Sequence, residues 1–265
     1  MRNSYAFIKT RRNKIYKLLK QHGSIKVKDL AEQLNTSPLT IRRDLEHLEE
    51  QGLIERFYGG ATLRENPIQT NSLGLDLDDD VIRYKQAIAK RAVEFIVDGD
   101  TVFINSSSTA LLMLNYITAK NVTIITNNGR TILSDAKKDV SIVLLGGELQ
   151  ISKKSMVGEF ALNNLSRVNA TKAFLGCSGL TAEEGFTTAN MHEVAINQLM
   201  LSRVTGERFI LADHTKIGKK HSFVSGSPEQ ISCVITDTEA NKTVLDSLAR
   251  RGVKIIQVPP LQHDE

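Results

Sequence analysis

Residues 37–51 read SPLTIRRDLEHLEEQ, and this stretch decides the fold of the amino-terminal part of the chain. Ser37 is typical of a helix N-cap, and Pro38 is typical of the first helical position. Apolar side chains then recur at helical spacing at positions 41, 45 and 48, and a glycine follows at position 52 as a stop signal. The stretch therefore predicts an amphipathic helix over residues 39–51.

Two shorter helical patterns precede this helix, and a hairpin pattern follows it. Residues 8–21 and 27–34 each place apolar side chains on one face, and Gly23 separates the two patterns. A turn at Thr36 then completes a helix-turn-helix motif, in which residues 39–51 form the second helix. The sequence LIERFYGGA at residues 53–61 predicts a wing of two strands. Residues 1–62, called the head below, are thus predicted to form a winged helix-turn-helix domain.

The polar side chains of the head indicate DNA binding. The amino-terminal part of the second helix of such a motif enters the major groove of DNA, and this part of the helix carries Ser37, Thr40, Arg42 and Arg43. Arginine suits both guanine edges and phosphates, and Arg56 of the wing is placed to contact a backbone phosphate. Residues 1–64 hold thirteen Lys and Arg against seven Asp and Glu, a net charge of +6, whereas the rest of the chain has a net charge of −2. This asymmetry favours a DNA-binding head over a solvated helical bundle with exposed arginines.

The composition excludes several classes of protein. Apolar residues make up 41% of the 265 residues and charged residues 24%, as in ordinary globular domains, so wholesale disorder and collagen-like order are excluded. The cysteines Cys177 and Cys233 provide neither a disulfide framework nor the spacing of a zinc site. The amino terminus lacks the apolar segment of a signal peptide, and the longest uncharged stretch is too polar to span a membrane. We expect a cytoplasmic protein with no cofactor, no metal and no membrane partner.

The rest of the chain alternates between strand and helix patterns. Residues 63–83, with aspartates at positions 76 and 78–80, are predicted to be a linker. Residues 84–265, called the body below, contain helical patterns at about residues 84–97, 108–118, 190–204 and 238–251. Between them lie seven β-branched runs, at residues 101–105, 122–126, 140–145, 172–175, 208–212, 233–236 and 254–258. This alternation predicts a Rossmann-like α/β domain, in which helices cover a parallel or mixed sheet.

A polar cluster follows each of the first five predicted strands. Each cluster by itself is compatible with an ordinary turn, but ligands of open α/β sheets bind outside the carboxyl ends of strands, so five such clusters favour one shared cleft. The first cluster opens a helix, where hydroxyl and backbone N–H groups suit a phosphate. The clusters provide the candidate ligand residues Asn105, Ser106, Ser107, Ser108, Thr109, Asn127, Gly147, Asp213 and Lys216, and the fourth cluster is Gly176-Cys177-Ser178-Gly179.

The head resembles the amino-terminal signature of the DeoR family, which comprises bacterial regulators of sugar metabolism that are mostly repressors. The segments that carry the resemblance are Val27-Lys28-Asp29-Leu30-Ala31, Ser37-Pro38-Leu39-Thr40-Ile41-Arg42-Arg43-Asp44-Leu45-Glu46, Gly52-Leu53-Ile54-Glu55-Arg56 and Gly59-Gly60-Ala61. The most specific of them is the Thr-Ile-Arg-Arg-Asp-Leu core at residues 40–45. The resemblance implies that the head binds double-stranded operator DNA.

The body resembles the effector domain of the same family, a sugar-phosphate sensor whose fold is related to ribose 5-phosphate isomerase. Shared features include Thr126-Asn127, Gly146-Gly147, Phe174-Leu175-Gly176 and Leu211-Ala212-Asp213-His214-Thr215-Lys216. The resemblance implies that the serine and threonine loop and Lys216 hold a phosphate. It also implies that Glu193 and Asp213 face the hydroxyl groups of a sugar.

One loop departs from the family pattern. The family usually has Asp-Ser-Gly-Thr-Thr where this chain has Asn105-Ser106-Ser107-Ser108-Thr109. Asn105 keeps a hydrogen-bonding group but loses the negative charge, and Ser107 replaces a glycine that permits a positive φ and close approach of a ligand. We therefore expect a shifted sugar preference or weaker binding.

Two functions from different classes remain open. The first is a non-enzymatic regulator, a repressor of a carbohydrate-utilisation operon that binds its operator as a homodimer or higher homo-oligomer and responds to a phosphorylated sugar. The second is a sugar-phosphate isomerase-like enzyme, in which Glu193, Asp213 and Lys216 do acid–base work. The enzyme hypothesis leaves the basic head unexplained, and a scaffold without a ligand leaves the strand-end clusters unexplained, so the regulator is favoured. The histidines, including His192 and His214, are expected to be surface or turn residues.

Overall fold

The computed structural model describes residues 11–12, 14–19, 22–50, 54–57, 59–63, 81–134, 138–151 and 153–262. The chain divides into two compact units, whose described parts are residues 11–63 and 81–262. Most of the predicted linker at residues 63–83 lies outside the described residues, as do residues 8–10 and 20–21 of the first predicted helix. The predicted linker is too long at both ends, because Leu63 belongs to a strand and Ile82 and Arg83 belong to a helix.

The head combines helices with a three-stranded antiparallel sheet. Residues 11–12 and 14–19 are helical and are followed by β1 (Ser24–Lys26), α1 (Val27–Gln33), α2 (Pro38–Glu50), β2 (Ile54–Phe57) and β3 (Gly60–Leu63). Strand β3 lies between β1 and β2. The helix-turn-helix and its wing are therefore confirmed within the described residues. Strand β1 adds to the prediction, because three residues are too few to show an alternation.

An apolar core fixes the orientation of α2. Ile41 and Leu45 of α2 are fully buried against Leu30 of α1 and against Ile15 and Leu19 of the first helical segment. Burial of a side chain of this size contributes about 1.5–3 kcal/mol. Because this face of α2 is held in the core, positions 42 and 43 are turned towards solvent.

The body is an α/β unit with a long series of short elements. In chain order they are α3 (Ile82–Ala92), β4 (Thr101–Ile104), α4 (Ser108–Leu112), β5 (Val122–Thr126), β6 (Val140–Leu144), β7 (Glu148–Gln150), β8 (Ser155–Val157), α5 (Gly158–Ser166), β9 (Lys172–Gly176), β10 (Gly179–Thr181), β11 (Gly185–Thr188), α6 (Met191–Ser202), β12 (Arg208–Leu211), β13 (Phe223–Gly226), β14 (Cys233–Asp237), α7 (Lys242–Arg250) and β15 (Lys254–Val258). Short 3-10 segments lie at Val93–Phe95, Met113–Asn115, Gly129–Leu133 and Pro228–Gln230. The seven predicted strands are all present, to within one residue at their ends.

These seven strands form one parallel sheet that grows outward from its middle. The strand order is β15-β14-β12-β9-β4-β5-β6, and every neighbouring pair is parallel. The chain runs from β4 to β6 on one side and then crosses to β9 on the other side, so the topological switch point lies between β4 and β9. In such a sheet a crevice opens at the switch point, outside the carboxyl ends of the strands. The predicted Rossmann-like architecture is confirmed, and its main sheet is parallel, not mixed.

Helices cover both faces of this sheet. Val102 and Ile104 of β4 contribute to a buried cluster on one face, together with Ile88 of α3 and Leu111 of α4. Phe103, which lies between them in sequence, contributes to the cluster on the other face, which α5, α6 and α7 cover. This alternation is that of a strand buried on both sides.

Helix α5 and two small sheets add to the predicted architecture. Strands β7 and β8 form a hairpin, and β11 lies between β10 and β13. These strands are three or four residues long, which is too short for a reliable alternation pattern. Helix α5 has nine residues and buries only Ala161 and Leu165, so its helical periodicity in the sequence is weak.

Candidate functional site

The amino-terminal turn of α2 has the cap that its sequence predicts. The Ser37 hydroxyl accepts a hydrogen bond from the backbone N–H of Thr40 at 3.2 Å and lies 2.8 Å from the Thr40 hydroxyl. Ser37, Pro38 and Leu39 are exposed, and Leu39 keeps 58% of its surface accessible. The sequence analysis did not single out Leu39. The sequence could have identified it, because Leu39 is an apolar residue outside the buried stripe of α2 and next to the candidate DNA contacts.

Arg42 and Arg43 are both exposed on the outer face of α2. Within the described part of the chain, neither side chain forms an ion pair. Asp44, the next residue, is turned inward and is only 2% exposed. Its two carboxylate oxygens accept hydrogen bonds from Arg11 and Arg12 at 2.6 and 2.9 Å. The aspartate of the Arg-Arg-Asp string therefore ties α2 to the first helical segment, and this leaves Arg42 and Arg43 available to an external partner.

The wing is tied to the end of α2 by Arg56. The Arg56 Nε donates to Glu49 Oε2 at 2.6 Å, and the Arg56 backbone N–H donates to Glu49 Oε1 at 3.0 Å. The backbone hydrogen bond and the guanidinium hydrogen bond both lower the pKa of Glu49. Arg56 was predicted to contact phosphate, and the structure places its guanidinium against a carboxylate of the head itself.

In the body, Asn105 lies inside the protein at the switch point. Its side chain is 4% exposed. Asn105 Nδ2 donates to the Gly176 carbonyl at 2.9 Å and to Asn197 Oδ1 at 3.0 Å, while Asn105 Oδ1 accepts from the Gly176 backbone N–H at 3.0 Å. Asn105 thus joins the ends of β4 and β9 to α6, and protein groups occupy both ends of its amide.

The neighbouring Ser106 reaches the predicted carboxylate across the cleft. Its hydroxyl donates to Glu193 Oε1 at 3.1 Å, and the Thr188 hydroxyl donates to Glu193 Oε2 at 2.9 Å. Thr188 Oγ1 also accepts from the backbone N–H of Asn190, whose side chain donates to Gln150 Oε1 at 2.6 Å. A continuous row of hydrogen bonds therefore joins the cleft to the β7–β8 hairpin.

Ser107 caps α4, the helix into which the loop leads. It has φ −64° and ψ 140°, so the substitution of serine for the family's glycine causes no backbone strain here. Its hydroxyl accepts from the N–H groups of Thr109 and Ala110 at 3.2 and 3.4 Å. A Cβ at Gly176 would collide with this hydroxyl, which explains the glycine at the end of β9. Ser108 begins α4, and Thr109 is buried.

Asn127 and Gly147 make their contacts with the β7–β8 region and lie further from the switch point. Asn127 is 1% exposed, and its Nδ2 donates to the Met156 carbonyl at 3.2 Å, while its Oδ1 has no hydrogen-bond partner among the described residues. Gly147 has φ +103°, and a Cβ there would lie 2.7 Å from the Val157 carbonyl oxygen. Asn128, which was not among the candidate ligand residues, reaches the loop, because its Nδ2 donates to the Ser107 carbonyl at 3.4 Å.

Asp213, Lys216 and Cys177 are neighbours at the ends of β12 and β9. The pKa of the Cys177 thiol is raised to about 12, mainly by burial and also by the charge of Asp213, while the charge of Lys216 acts to lower it. Asp213 is 1% exposed, and its Oδ1 accepts hydrogen bonds from the backbone N–H and the hydroxyl of Thr215. Lys216 is half-buried and makes no ion pair with any residue that the structure describes.

His214 lies in the turn after β12, as predicted, and it also has a buried partner. Its Nδ1 is 3.0 Å from Oδ1 of the fully buried Asp237. Its backbone N–H donates to Asp237 Oδ2 at 2.7 Å, and its ring meets the Tyr84 ring edge-on with centroids 4.8 Å apart. The local sequence shows the turn but not the partner from β14. His192 is exposed at the start of α6, as predicted.

Within the ranges that the structure describes, no group of three or more His, Cys, Asp and Glu side chains could hold a metal ion. No helix of the same residues is both long enough and apolar enough to cross a membrane.

Comparison with known families accounts for both units. Residues 11–66 match the DeoR-like helix-turn-helix domain, and residues 81–238 match the DeoR C terminal sensor domain. The HTH-type transcriptional regulator GolR of Listeria innocua is 31% identical over 92% of this chain and 96% of its own length. The glycerol-3-phosphate regulon repressor of Escherichia coli is 31% identical over 92% and 97%, and the HTH-type transcriptional repressor GlcR of Bacillus subtilis is 33% identical over 91% and 93%.

Solved structures are more distantly similar. Ribose 5-phosphate isomerase A of Methanocaldococcus jannaschii aligns over 51% of this chain and 54% of its own, with 17% identity and a TM-score of 0.35. A likeness this weak carries no conclusion about activity.

Proposed function

The chain belongs to the DeoR family of transcriptional regulators, and on that premise we propose that its head binds operator DNA under the control of a phosphorylated sugar held in the body. We assign it the role of a repressor of carbohydrate-utilisation genes, since two of the relatives are named as repressors. The name of the Escherichia coli relative, which refers to glycerol 3-phosphate, supports a small phosphorylated effector.

The exposed arginines of α2 support the DNA-binding half of the proposal. Arg42 and Arg43 project from a helix whose other face is held in the core by Ile41 and Leu45. In helix-turn-helix proteins this part of the second helix lies in the major groove. An arginine without a carboxylate partner keeps all its donors for guanine edges or phosphates. We assign Leu39 a contact with a thymine methyl group, which is the apolar feature of the major groove.

Arg42→Ala and Arg43→Ala test this half. Loss of a bidentate base contact costs about 1–3 kcal/mol and relaxes sequence preference, whereas loss of a phosphate contact lowers the salt slope by about 1. The measurement is a gel-shift titration at two salt concentrations, on a duplex that the wild-type protein has selected from a random pool. Arg250→Ala, which removes an exposed arginine from the body, is the matched control. Unchanged affinity and salt slope in both α2 variants would remove the assignment.

The ligand-binding half is supported by polar groups at the carboxyl ends of three adjacent parallel strands, β4, β9 and β12, which is the edge where ligands of this architecture bind. After β4, Ser106 contacts Glu193 of α6, and after β12, Asp213 and Lys216 are close enough to Cys177, which follows β9, to influence its thiol. We propose that the Lys216 ammonium, which has no ion pair among the described residues, and the serine and threonine loop after β4 hold the phosphate. Glu193 and Asp213 accept hydrogen bonds from sugar hydroxyls.

The other candidate ligand residues have supporting roles in this proposal. Asn105 and Ser107 fix the loop between the ends of β4 and β9, since their side chains are already hydrogen-bonded within the protein. Asn127 and Gly147 hold the neighbouring hairpin. Ser108 and Thr109 contact the ligand from the first turn of α4, which Ser107 caps. The departures from the family pattern at Asn105 and Ser107 therefore act on the shape of the loop and not on a direct contact.

Calorimetry with Lys216→Ala tests the ligand-binding half. We expect pentose and hexose phosphates or glycerol 3-phosphate to bind, and the matching unphosphorylated compounds not to bind, because phosphate carries about two negative charges near neutral pH. Removal of a charged hydrogen-bond donor costs about 1.5–3 kcal/mol, which is roughly a 10-fold to 150-fold loss of affinity. Lys219→Ala, which removes an exposed lysine from the same segment, is the control. Equal affinity for the free sugars, or an unaffected Lys216→Ala, would contradict the proposal.

We further propose that the cleft binds its ligand without converting it. Glu193 already accepts hydrogen bonds from two hydroxyls, and Asp213 accepts two from Thr215, so both carboxylates have fixed partners suited to holding a ligand. Incubation with aldose and ketose phosphates tests this point. The expected result is that no interconversion occurs at protein concentrations that saturate binding, and catalytic turnover would establish the isomerase alternative.

A further inference from the structure

An exposed apolar patch lies on the β7–β8 hairpin and the adjacent 3-10 segment. We define the apolar patch as Ile132, Leu133, Leu149 and Ile151, whose side chains are between 51% and 81% exposed. Side chains of this size and exposure present on the order of 500 Å² of apolar surface, which falls within the range of the largest patches on soluble monomers, where such patches are often functional.

The geometry of the two segments brings these side chains together. Leu149 lies in β7 and Ile151 lies in the turn directly after it, so both side chains belong to the same end of the hairpin. A Cβ at Gly129 would lie 3.6 Å from Leu149 Cδ1, so Gly129 is next to Leu149. Gly129 begins the 3-10 segment Gly129–Leu133, in which residues three apart eclipse each other, and this places Ile132 over Gly129.

The patch is held rigidly although it is exposed. The Gly129 backbone N–H donates to the Lys154 carbonyl at 2.7 Å, and Arg130 Nη1 donates to the Lys153 carbonyl at 3.1 Å. On the other side of the hairpin, Gln150 accepts from Asn190 at 2.6 Å. A surface that is ordered before binding loses less conformational entropy when a partner covers it.

Charges of opposite sign lie at the two ends of the hairpin. Lys153 and Lys154 lie at its tip, and Glu148 lies at its base together with Glu159 at the start of α5. All four side chains are exposed, and none forms an ion pair with a residue in the described ranges. A two-fold axis through the patch would place the basic tip of one hairpin against the acidic base of another.

From this arrangement we propose that the apolar patch is the contact surface for a second copy of this chain, packed hairpin against hairpin about a two-fold axis. A two-fold interface uses the same surface on both subunits, and this patch is complementary to itself in apolarity and in charge. A stable interface needs about 800 Å² per partner. The patch supplies its apolar centre, and the lysines and glutamates supply its polar rim. The inference rests on the proposed function in one respect, since binding to two operator half-sites requires two heads.

Sedimentation equilibrium of the full-length protein with Ile151→Lys tests the inference. The wild-type protein is expected to be a dimer, and the variant is expected to dissociate at least ten times more readily, because a charge would be buried in the apolar centre. Ile151 is 81% exposed, so the variant should fold, as far-UV circular dichroism will show. Val97→Lys is the control, because Val97 is 58% exposed and precedes the amino end of β4, at the opposite end of the sheet. An Ile151→Lys variant that dimerises like wild type would overturn the inference, and so would a monomeric wild-type protein, including one that instead binds lipid vesicles through the patch.

A charge exchange tests the two-fold arrangement directly. Lys153→Glu should weaken the dimer, and the double variant Lys153→Glu/Glu148→Lys should restore it, because the exchanged charges meet across the axis. Failure of the double variant to recover would contradict hairpin-to-hairpin packing. Calorimetric binding of glycerol 3-phosphate, measured in parallel, separates the two proposals. Ile151→Lys should keep the ligand affinity of the wild-type protein. A wild-type protein that dimerises through the patch but does not bind glycerol 3-phosphate would contradict only the proposed function.

Discussion

Replacing Asn105 by aspartate, the residue that the family usually has at this position, is expected to destabilise the body of this protein. Asn105 Nδ2 faces two acceptors, the Gly176 carbonyl at 2.9 Å and Asn197 Oδ1 at 3.0 Å. In Asn105→Asp a carboxylate oxygen would take the place of this donor. Asn197 cannot reorient without cost, because its own Nδ2 donates to Ser225 Oγ at 3.3 Å.

The size of the effect follows from these contacts. Two hydrogen bonds with a net contribution of about 1 kcal/mol each are lost, and two buried acceptors are left facing a negative charge. The hydrogen bond from the Gly176 backbone N–H to Oδ1 remains and becomes stronger, which offsets part of the loss. Because the site is only 4% exposed, little water can screen the charge. The free energy of unfolding should fall by about 3 kcal/mol at neutral pH.

The pH dependence gives the prediction a second readout. The oxygens around the new carboxyl raise its pKa in the folded state above its value in the unfolded state. The protonated group can donate one hydrogen bond, so the variant keeps most of its stability below the unfolded pKa and loses it as the pH rises through the folded pKa.

Urea denaturation followed by far-UV circular dichroism, at neutral pH and at about pH 5, measures both effects. Asn163→Asp, at an exposed position of α5, is the control and should change stability by less than about 0.5 kcal/mol. An Asn105→Asp protein as stable as wild type at neutral pH would refute the reasoning, and so would a penalty of the same size at both pH values.

Three further predictions concern Asp44, Asp100 and Cys177. Asp44→Ala should destabilise the head by about 3–5 kcal/mol, because it leaves two arginines without their buried partner; gel-shift affinity should fall while calorimetric ligand binding is retained, and full DNA affinity would contradict the role of Asp44. Burial tends to raise the pKa of Asp100, but hydrogen bonds from Lys172 and its neighbours lower it overall; its contribution to stability is therefore present at neutral pH and lost as the pH falls through the lowered pKa, below about pH 4. In a plot of the free energy of unfolding, measured with urea, against pH, Asp100→Asn should reduce the fall in stability below about pH 4. An unchanged fall would contradict this role of Asp100. Because burial raises the pKa of Cys177 to about 12, iodoacetamide should alkylate it slowly in the native protein at neutral pH and quickly after denaturation; peptide mass spectrometry will detect rapid native alkylation if the thiol is more accessible than we infer.

Local patterns in the sequence determined the architecture of this protein. The alternation of β-branched runs and helical patterns identified all seven strands of the main sheet, and the cap at Ser37 with the apolar spacing after it identified α2. Both are properties of residues close together in the chain, so the sequence shows them directly. The clustering of polar loops was also predictable, because parallel strands bring their carboxyl ends to the same edge of a sheet.

Tertiary structure alone decided which partner each polar side chain has. Asn105 bonds to Asn197, 92 residues away, and His214 bonds to the buried Asp237 on a neighbouring strand. Asp44 lies in a string with two arginines that face solvent, yet it is turned inward to Arg11 and Arg12 from another helix. Periodicity fixes which face of an element is buried, but the partner on that face depends on how distant elements pack. The hydrogen-bond partners that fix Asn105 and Ser107 within the loop are therefore a property of the folded chain and not of the local sequence.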